Sequence, residues 1–127
     1  MSVAAAGGFA PVVDEGVTLF NRGRYLDAHQ RWEAYLADAA GDERAFLEGL
    51  VQLATGLHLR TERGGTRGSE HLIARALVSF EDFRPAAHGI DVERLVAEFA
   101  GYLDWLRGVR RPHRMLDLFR IPRLHRL

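Results

Sequence analysis

The sequence predicts an all-α protein. We expect a compact bundle of about five helices, in which the first four form two antiparallel hairpins and an extended C-terminal arm follows the fifth. Three observations predict this fold. Apolar residues recur with the period of a helix along most of the chain. No segment alternates apolar and polar residues for long enough to be a strand, and glycine and proline divide the chain into five helical stretches.

The first hairpin is predicted to pair a helix over residues 11–22 with a helix over residues 25–39. Pro11 suits a first helical turn, and Gly23 and Gly41 are expected to end the two helices. The turn after the first helix is similar to the Gly-x-Tyr-x-x-Ala turn of a tetratricopeptide hairpin. The apolar residues of both helices follow the helical rhythm: Val13, Val17, Phe20, Tyr25, Ala28, Trp32, Tyr35, Leu36 and Ala39.

The second hairpin is predicted to pair a long helix over residues 42–63 with a helix that ends before Pro85. Asp42 is the expected N-cap of the long helix, and Thr66 or Ser69 opens its partner after a glycine-rich turn. A helix that is apolar on more than one side packs in the middle of a protein. The long helix is predicted to be central because it carries two apolar stripes: Phe46, Leu50, Leu53 and Leu57, and Leu47, Val51 and Ala54.

A fifth helix is predicted to begin after Asp91, which suits an N-cap, and to reach residue 107. Residues 108–127 then form an arginine-rich arm with several large apolar residues, so we expect this arm to pack on the body. Residues 1–10 are predicted to be a flexible N-terminus, which leaves residues 11–107 as the helical domain.

The charge of the chain is balanced overall but unevenly spread. All 17 basic residues are arginine, and they face 17 acids. From Arg107 to Leu127, seven arginines stand against the single acid Asp117, so residues 107–127 carry a net charge of +6 and the rest of the chain −6. This predicts that the arm lies on an acidic surface, either on the body of the same chain or on that of a second copy. Clustered arginines can also bind the phosphates of a nucleic acid. The acidic body and the lack of a recognisable DNA- or RNA-binding motif argue against that partner.

The composition excludes several classes of protein. There is no cysteine, so a disulfide scaffold, a thiolate zinc site and a cysteine nucleophile are excluded. The first residues lack the basic region and the apolar run of a signal peptide. The richest apolar stretch, residues 46–59, is interrupted by polar residues, so no membrane span is expected. We therefore expect a cytoplasmic protein.

Polar side chains on the second and third helices are predicted to form one cluster. Two pairs of them stand four residues apart, so the members of each pair project from one side of a helix. If the two helices pack antiparallel, the groups converge on a partly buried patch. The cluster comprises His29, Trp32, Glu33, Glu48, Gln52 and His58.

Three interpretations of this cluster stay open. His29, Glu33 and His58 would bind a divalent metal and leave a position for water. Without a metal, His29 or Glu33 would be a general base and hence a candidate catalytic residue. The third interpretation is a hydrogen-bonded network that fixes how two helices pack. His-x-x-x-Glu pairs are frequent by chance and no His-Glu-x-x-His is present, which favours the packing network.

Two segments resemble the domain of unknown function 309 family. Residues 19–33 are similar to its Phe-Asn-x-Gly-x-Tyr…Ala-His-Glu-x-Trp-Glu signature, and residues 46–58 to its Phe-Leu-Gln-Gly-Leu-Ile-Gln…His block. The resemblance covers roughly residues 14–83. It implies an all-helical fold without an assigned activity, and it points to His29, Trp32, Glu33, Gln52 and His58. The chain departs from the family pattern at Gln30, Glu48 and Gly65, where the family usually has Glu, Gln and Asn.

These observations lead to two hypotheses of different kinds. The first is a small interaction or scaffold protein, whose groove or edge binds a protein partner or a second copy of the chain. The alternative is a metal-dependent or acid–base enzyme that uses His29, Glu33 and His58.

Overall fold

A computed structural model describes residues 8–63, 67–108 and 120–127. This part of the chain contains five α-helices: α1 (Phe9–Asn21), α2 (Tyr25–Glu33), α3 (Gly41–Arg63), α4 (Arg67–Phe80) and α5 (Val92–Gly108). Two strands of two residues each, β1 (Ala86–Ala87) and β2 (Ile90–Asp91), pair antiparallel between α4 and α5. The predicted all-α bundle is confirmed. Within the described ranges, no helix has the length and apolar character needed to cross a membrane.

The long helix α3 lies in the centre of the bundle, as predicted. It packs against α2 on one side and α4 on the other, and nine of its residues are buried. Its contacts with α2 run in opposite directions along the two helices, since His29 meets Thr55 whereas Arg44 donates to the Leu36 carbonyl. The antiparallel arrangement assumed for the polar cluster is therefore present.

Aromatic rings tie the helices together at two points of the core. The Phe20 ring on α1 contacts Tyr25 and Trp32 of α2 and Phe99 of α5, at centroid distances of 5.0, 6.2 and 6.1 Å. A second set surrounds Phe46 at the start of α3: Phe80, Phe83 and His88. Ring pairs of this kind add to the burial energy of the core.

Several helix boundaries differ from the prediction. α2 ends at Glu33 and continues as a 3₁₀ turn over Leu36–Asp38, because backbone bonds there reach back three residues instead of four. Gly41 begins α3 rather than ending a helix, and Asp42 stands in its first turn. The N-cap position belongs to Ala40, whose carbonyl accepts from the Arg44 amide. α1 begins at Phe9, two residues before the predicted start. The predicted cap Asp91 is confirmed, since its carboxylate accepts from the Arg94 amide.

The β1–β2 hairpin holds the C-terminal segment 120–127 on the body. Its turn residues His88 and Gly89 both have positive φ, as a tight hairpin requires. The Asp91 amide donates to the His125 carbonyl at 2.8 Å, and the Leu127 amide donates to the Gly89 carbonyl at 3.0 Å. Two-residue strands are too short for an alternating pattern, which is why sequence periodicity missed them. Residues 109–119 of the predicted arm lie outside the described residues.

Candidate functional site

His29 connects α2 to α3 through two polar contacts. Its Nδ1 lies 2.5 Å from Thr55 Oγ1, and its Nε2 contacts the carboxylate of Glu33 one turn along α2. The Thr55 hydroxyl donates to the Val51 carbonyl, so its oxygen can accept from the His29 ring. The ring is half-buried and the Glu33 side chain is 56% exposed. The structure therefore brings His29 and Glu33 together, with Thr55 as a third member.

Trp32 is a core residue. It is fully buried, its ring lies against the backbone of Gly16, and its indole N–H donates weakly to the Val13 carbonyl at 3.4 Å. These contacts fix the packing of α2 on α1. Trp32 therefore holds α2, which carries His29 and Glu33, against α1, and its buried ring is not accessible to a ligand.

Glu48 and Gln52 lie away from His29, in a cleft between α3 and α4. This acidic cleft has a volume of about 290 Å³ and is lined by Asp42, Ala45, Glu48, Gln52, Ser79, Asp82 and Phe83. Glu48 accepts from Arg44 Nε at 3.1 Å. The Gln52 Oε1 atom is buried and accepts no hydrogen bond in the described part of the chain. The Ser79 hydroxyl donates to the Arg75 carbonyl.

His58 faces a third environment, an open cleft of about 430 Å³ beside the α1–α2 turn. Gly23, Tyr25, Asp27 and Thr61 are among its other lining residues. His58 and Gln52 are six residues apart on α3, which is a rotation of roughly 120° around a helix of 3.6 residues per turn. They therefore point to different neighbours.

The six predicted residues thus occupy separate places. His29 and Glu33 form one group, Glu48 and Gln52 line the acidic cleft, His58 faces the α1–α2 turn, and Trp32 is in the core. Within the ranges that the structure describes, no three His, Asp or Glu side chains are grouped so that they could hold a metal ion.

The acidic cleft contains residues that sequence reasoning missed. Asp42 and Asp82 are exposed, and neither forms an ion pair with another described residue. Asp42 comes from the first turn of α3 and Asp82 from the 3₁₀ turn after α4, so only the packing of α4 on α3 brings them together. The usable signal was the acidic character of both segments, Asp42-Glu43 and Glu81-Asp82.

Comparison with known families identifies one match. The model of a domain of unknown function (DUF309) matches residues 13–72, which run from α1 into α4. The match covers a little under half of the chain and supports the resemblance to the domain of unknown function 309 family. No curated protein matches the chain. The family is uncharacterised, so the match adds no activity.

Several motif residues shared with the domain of unknown function 309 family have clear structural roles. Asn21 exchanges two hydrogen bonds with the backbone of Leu124. Gly23 has a φ of 78°, which favours glycine in the turn before α2. Gly49 lets the Phe80 ring approach α3, because a Cβ at that position would lie 3.0 Å from the ring. The motif therefore encodes much of the helix packing.

Proposed function

We propose that the protein is an interaction module that binds an arginine-bearing segment of a protein partner in the acidic cleft. The observation that carries the proposal is the chemistry of the cleft walls. Three carboxylates, of Asp42, Glu48 and Asp82, line one open space. These groups accept hydrogen bonds, and a guanidinium group only donates them.

The remaining walls also suit an arginine side chain. Phe83 is half-buried and presents an aromatic ring, on which a guanidinium group can stack. Ala45 adds an apolar surface for the aliphatic stem. Glu48 is already shared with Arg44, so Asp42 and Asp82 supply the charge that a partner would pair.

We expect a fluorescent tetra-arginine peptide to bind the protein with an affinity that falls as salt is added. Replacing both Asp42→Asn and Asp82→Asn should weaken binding by about tenfold, because two exposed ion pairs of about 0.2–1 kcal/mol each together contribute about 1.4 kcal/mol. Fluorescence anisotropy measures the change.

The matched control is the double variant Asp38→Asn with Asp104→Asn. Both residues are exposed, neither lines the acidic cleft, and the pair removes the same charge. Its affinity for the peptide should stay within about twofold of the original, since distant exposed charges are screened. An equal loss in both double variants would mean that net charge alone drives binding, which contradicts the proposal.

The partner is either a different protein or a second copy of the chain. The chain has arginines of its own to offer, seven of them after residue 106. Sedimentation velocity over a range of concentrations separates the two cases. A dimer that disappears in the Asp42→Asn, Asp82→Asn variant identifies the second copy, and a monomer throughout identifies a different protein.

A second proposal, acid–base chemistry at His29, rests on the contacts of its ring. The ring is held between the Glu33 carboxylate and the Thr55 hydroxyl, an arrangement that orients an imidazole for proton transfer. If it acts in this way, His29→Gln should slow the hydrolysis of p-nitrophenyl acetate at least about 100-fold, as loss of a general base does. His71→Gln, which changes an exposed histidine of α4, should have no effect. A rate equal to that of buffer rejects the activity.

A further inference from the structure

A small pocket lies between the α1–α2 turn and the C-terminal segment. Its volume is about 220 Å³, and its lining combines residues from distant parts of the sequence: Phe20, Asn21, Arg22, Gly23, Tyr25, Ile121, Pro122 and Arg123. The two hydrogen bonds between Asn21 and Leu124, of 2.9 and 2.8 Å, hold the two walls together. We call this space the turn pocket. It is separate from the acidic cleft.

The charged residues of the turn pocket are both arginines. Arg22 and Arg123 are exposed, and neither pairs with an acid among the described residues. The neighbouring Arg24 differs, because its Nε donates to Asp27 at 2.8 Å and its side chain belongs to the lining of the open cleft beside His58. No Asp or Glu is among the described residues that line the turn pocket. Two arginines that have no acidic partner among the described residues therefore line one small space.

Tyr25 adds a polar side chain to the lining of the turn pocket, and it also lines the open cleft beside His58. Its side chain is only 7% exposed, yet its hydroxyl makes no hydrogen bond with another described residue. The hydroxyl oxygen is not fully enclosed, so it keeps an opening to solvent. Burial raises the pKa of Tyr25 to about 12, so the phenol stays neutral and able to donate well above physiological pH.

The amino end of α2 adds an electrostatic field that favours an anion. α2 begins at Tyr25, and its N-cap residue Arg24 makes no side-chain capping bond to the first-turn amides. The amino end of a helix carries a partial positive charge, which favours an anion nearby. Asp27, the one acid of this turn, is engaged by Arg24.

We propose that the turn pocket binds a phosphate group, as free phosphate or as the monoester of a small molecule. Arg22 and Arg123 supply two planar forks of donors that match phosphate oxygens, and the Tyr25 hydroxyl supplies a further donor. Ile121 and Pro122 form an apolar wall that suits the organic part of a monoester. Because the walls come from the α1–α2 turn and the C-terminal segment, a bound phosphate also joins these two parts of the chain.

The test is isothermal titration with inorganic phosphate and with phenyl phosphate in a chloride-free buffer. We expect saturable binding that weakens at least tenfold in Arg22→Gln and in Arg123→Gln and several-fold in Tyr25→Phe. Tighter binding of phenyl phosphate identifies a monoester as the ligand type, and equal binding identifies the phosphate group alone.

Arg107→Gln is the matched control, because it removes the same charge from an exposed residue that does not line the turn pocket. It should bind phosphate as the original chain does. An equal loss of affinity in Arg107→Gln would show that overall charge alone drives binding and would overturn the proposal, as would the absence of saturable binding in the original chain. Circular dichroism melting curves of the variants show that each is folded.

Discussion

Replacing Gly16 by alanine is expected to destabilise the protein by about 3 kcal/mol or more, because the added methyl group has no space. A Cβ at position 16 would lie 2.0 Å from Nε1 and 2.1 Å from Cε2 of Trp32. The indole cannot move aside, since it is fully buried and packs near Phe20 and Val13. Urea unfolding followed by circular dichroism measures the loss.

Gly101→Ala provides the control for this experiment. Gly101 also lies inside a helix, α5, but it is exposed and no atom lies within 4 Å of an added Cβ. Alanine there should stabilise the protein by about 0.5–1 kcal/mol, because glycine loses more conformational entropy on folding. If Gly16→Ala were as stable as Gly101→Ala, the close packing of α1 on Trp32 would be wrong.

Asn21→Ala is expected to destabilise the docked C-terminal segment by about 2–3 kcal/mol, since each unsatisfied group at a buried contact costs about 1–3 kcal/mol. The Asn21 amide donates to the Leu124 carbonyl and accepts from the Leu124 amide, across a separation of 103 residues. Leu124 itself is 2% exposed, so its backbone is not readily solvated in place. Hydrogen exchange at the Leu124 amide should become faster by about 30- to 150-fold for that free-energy change.

Gln30→Ala is the control for Asn21→Ala, because it removes an amide from an exposed position of α2. Its stability should stay within about 0.5 kcal/mol of the original. Trypsin provides a second measurement, since loss of docking exposes the bond after Arg123. Unchanged exchange and cleavage in Asn21→Ala would show that the C-terminal segment is held by its other contacts.

The periodicity of apolar residues predicted the burial pattern even where it misplaced a helix end. Tyr35 and Ala39 are buried as the stripe predicted, although α2 has already ended at Glu33 and a 3₁₀ turn lies between the two residues. An apolar residue is buried when its side chain projects toward the core. The direction of successive side chains differs only slightly between a 3₁₀ turn and an α-helix, so the same residues stay buried. The exact end of α2 depends on backbone bonds that carry no periodic signal.

The polar cluster was predictable only in part. The spacing of four residues placed His29 and Glu33 on one side of α2, and the two side chains do contact each other. The third member, Thr55, could not be identified from spacing, because it depends on how far α2 is shifted along α3. In the same way, the rotation of α3 sends Gln52 to the acidic cleft and His58 to the α1–α2 turn.

The sequence by itself determined the all-helical class, the central position of α3 and the cap at Asp91. Each of these follows from interactions between residues close in the chain, or from the period of apolar side chains. The tertiary structure alone decided which polar groups meet. Asp42 and Asp82 line one cleft, and Arg22 and Arg123 line one pocket, because segments that are distant in sequence pack at a particular shift and rotation. Those two variables are set by the shapes of the packed side chains, such as Trp32 on Gly16, and local sequence patterns do not contain them.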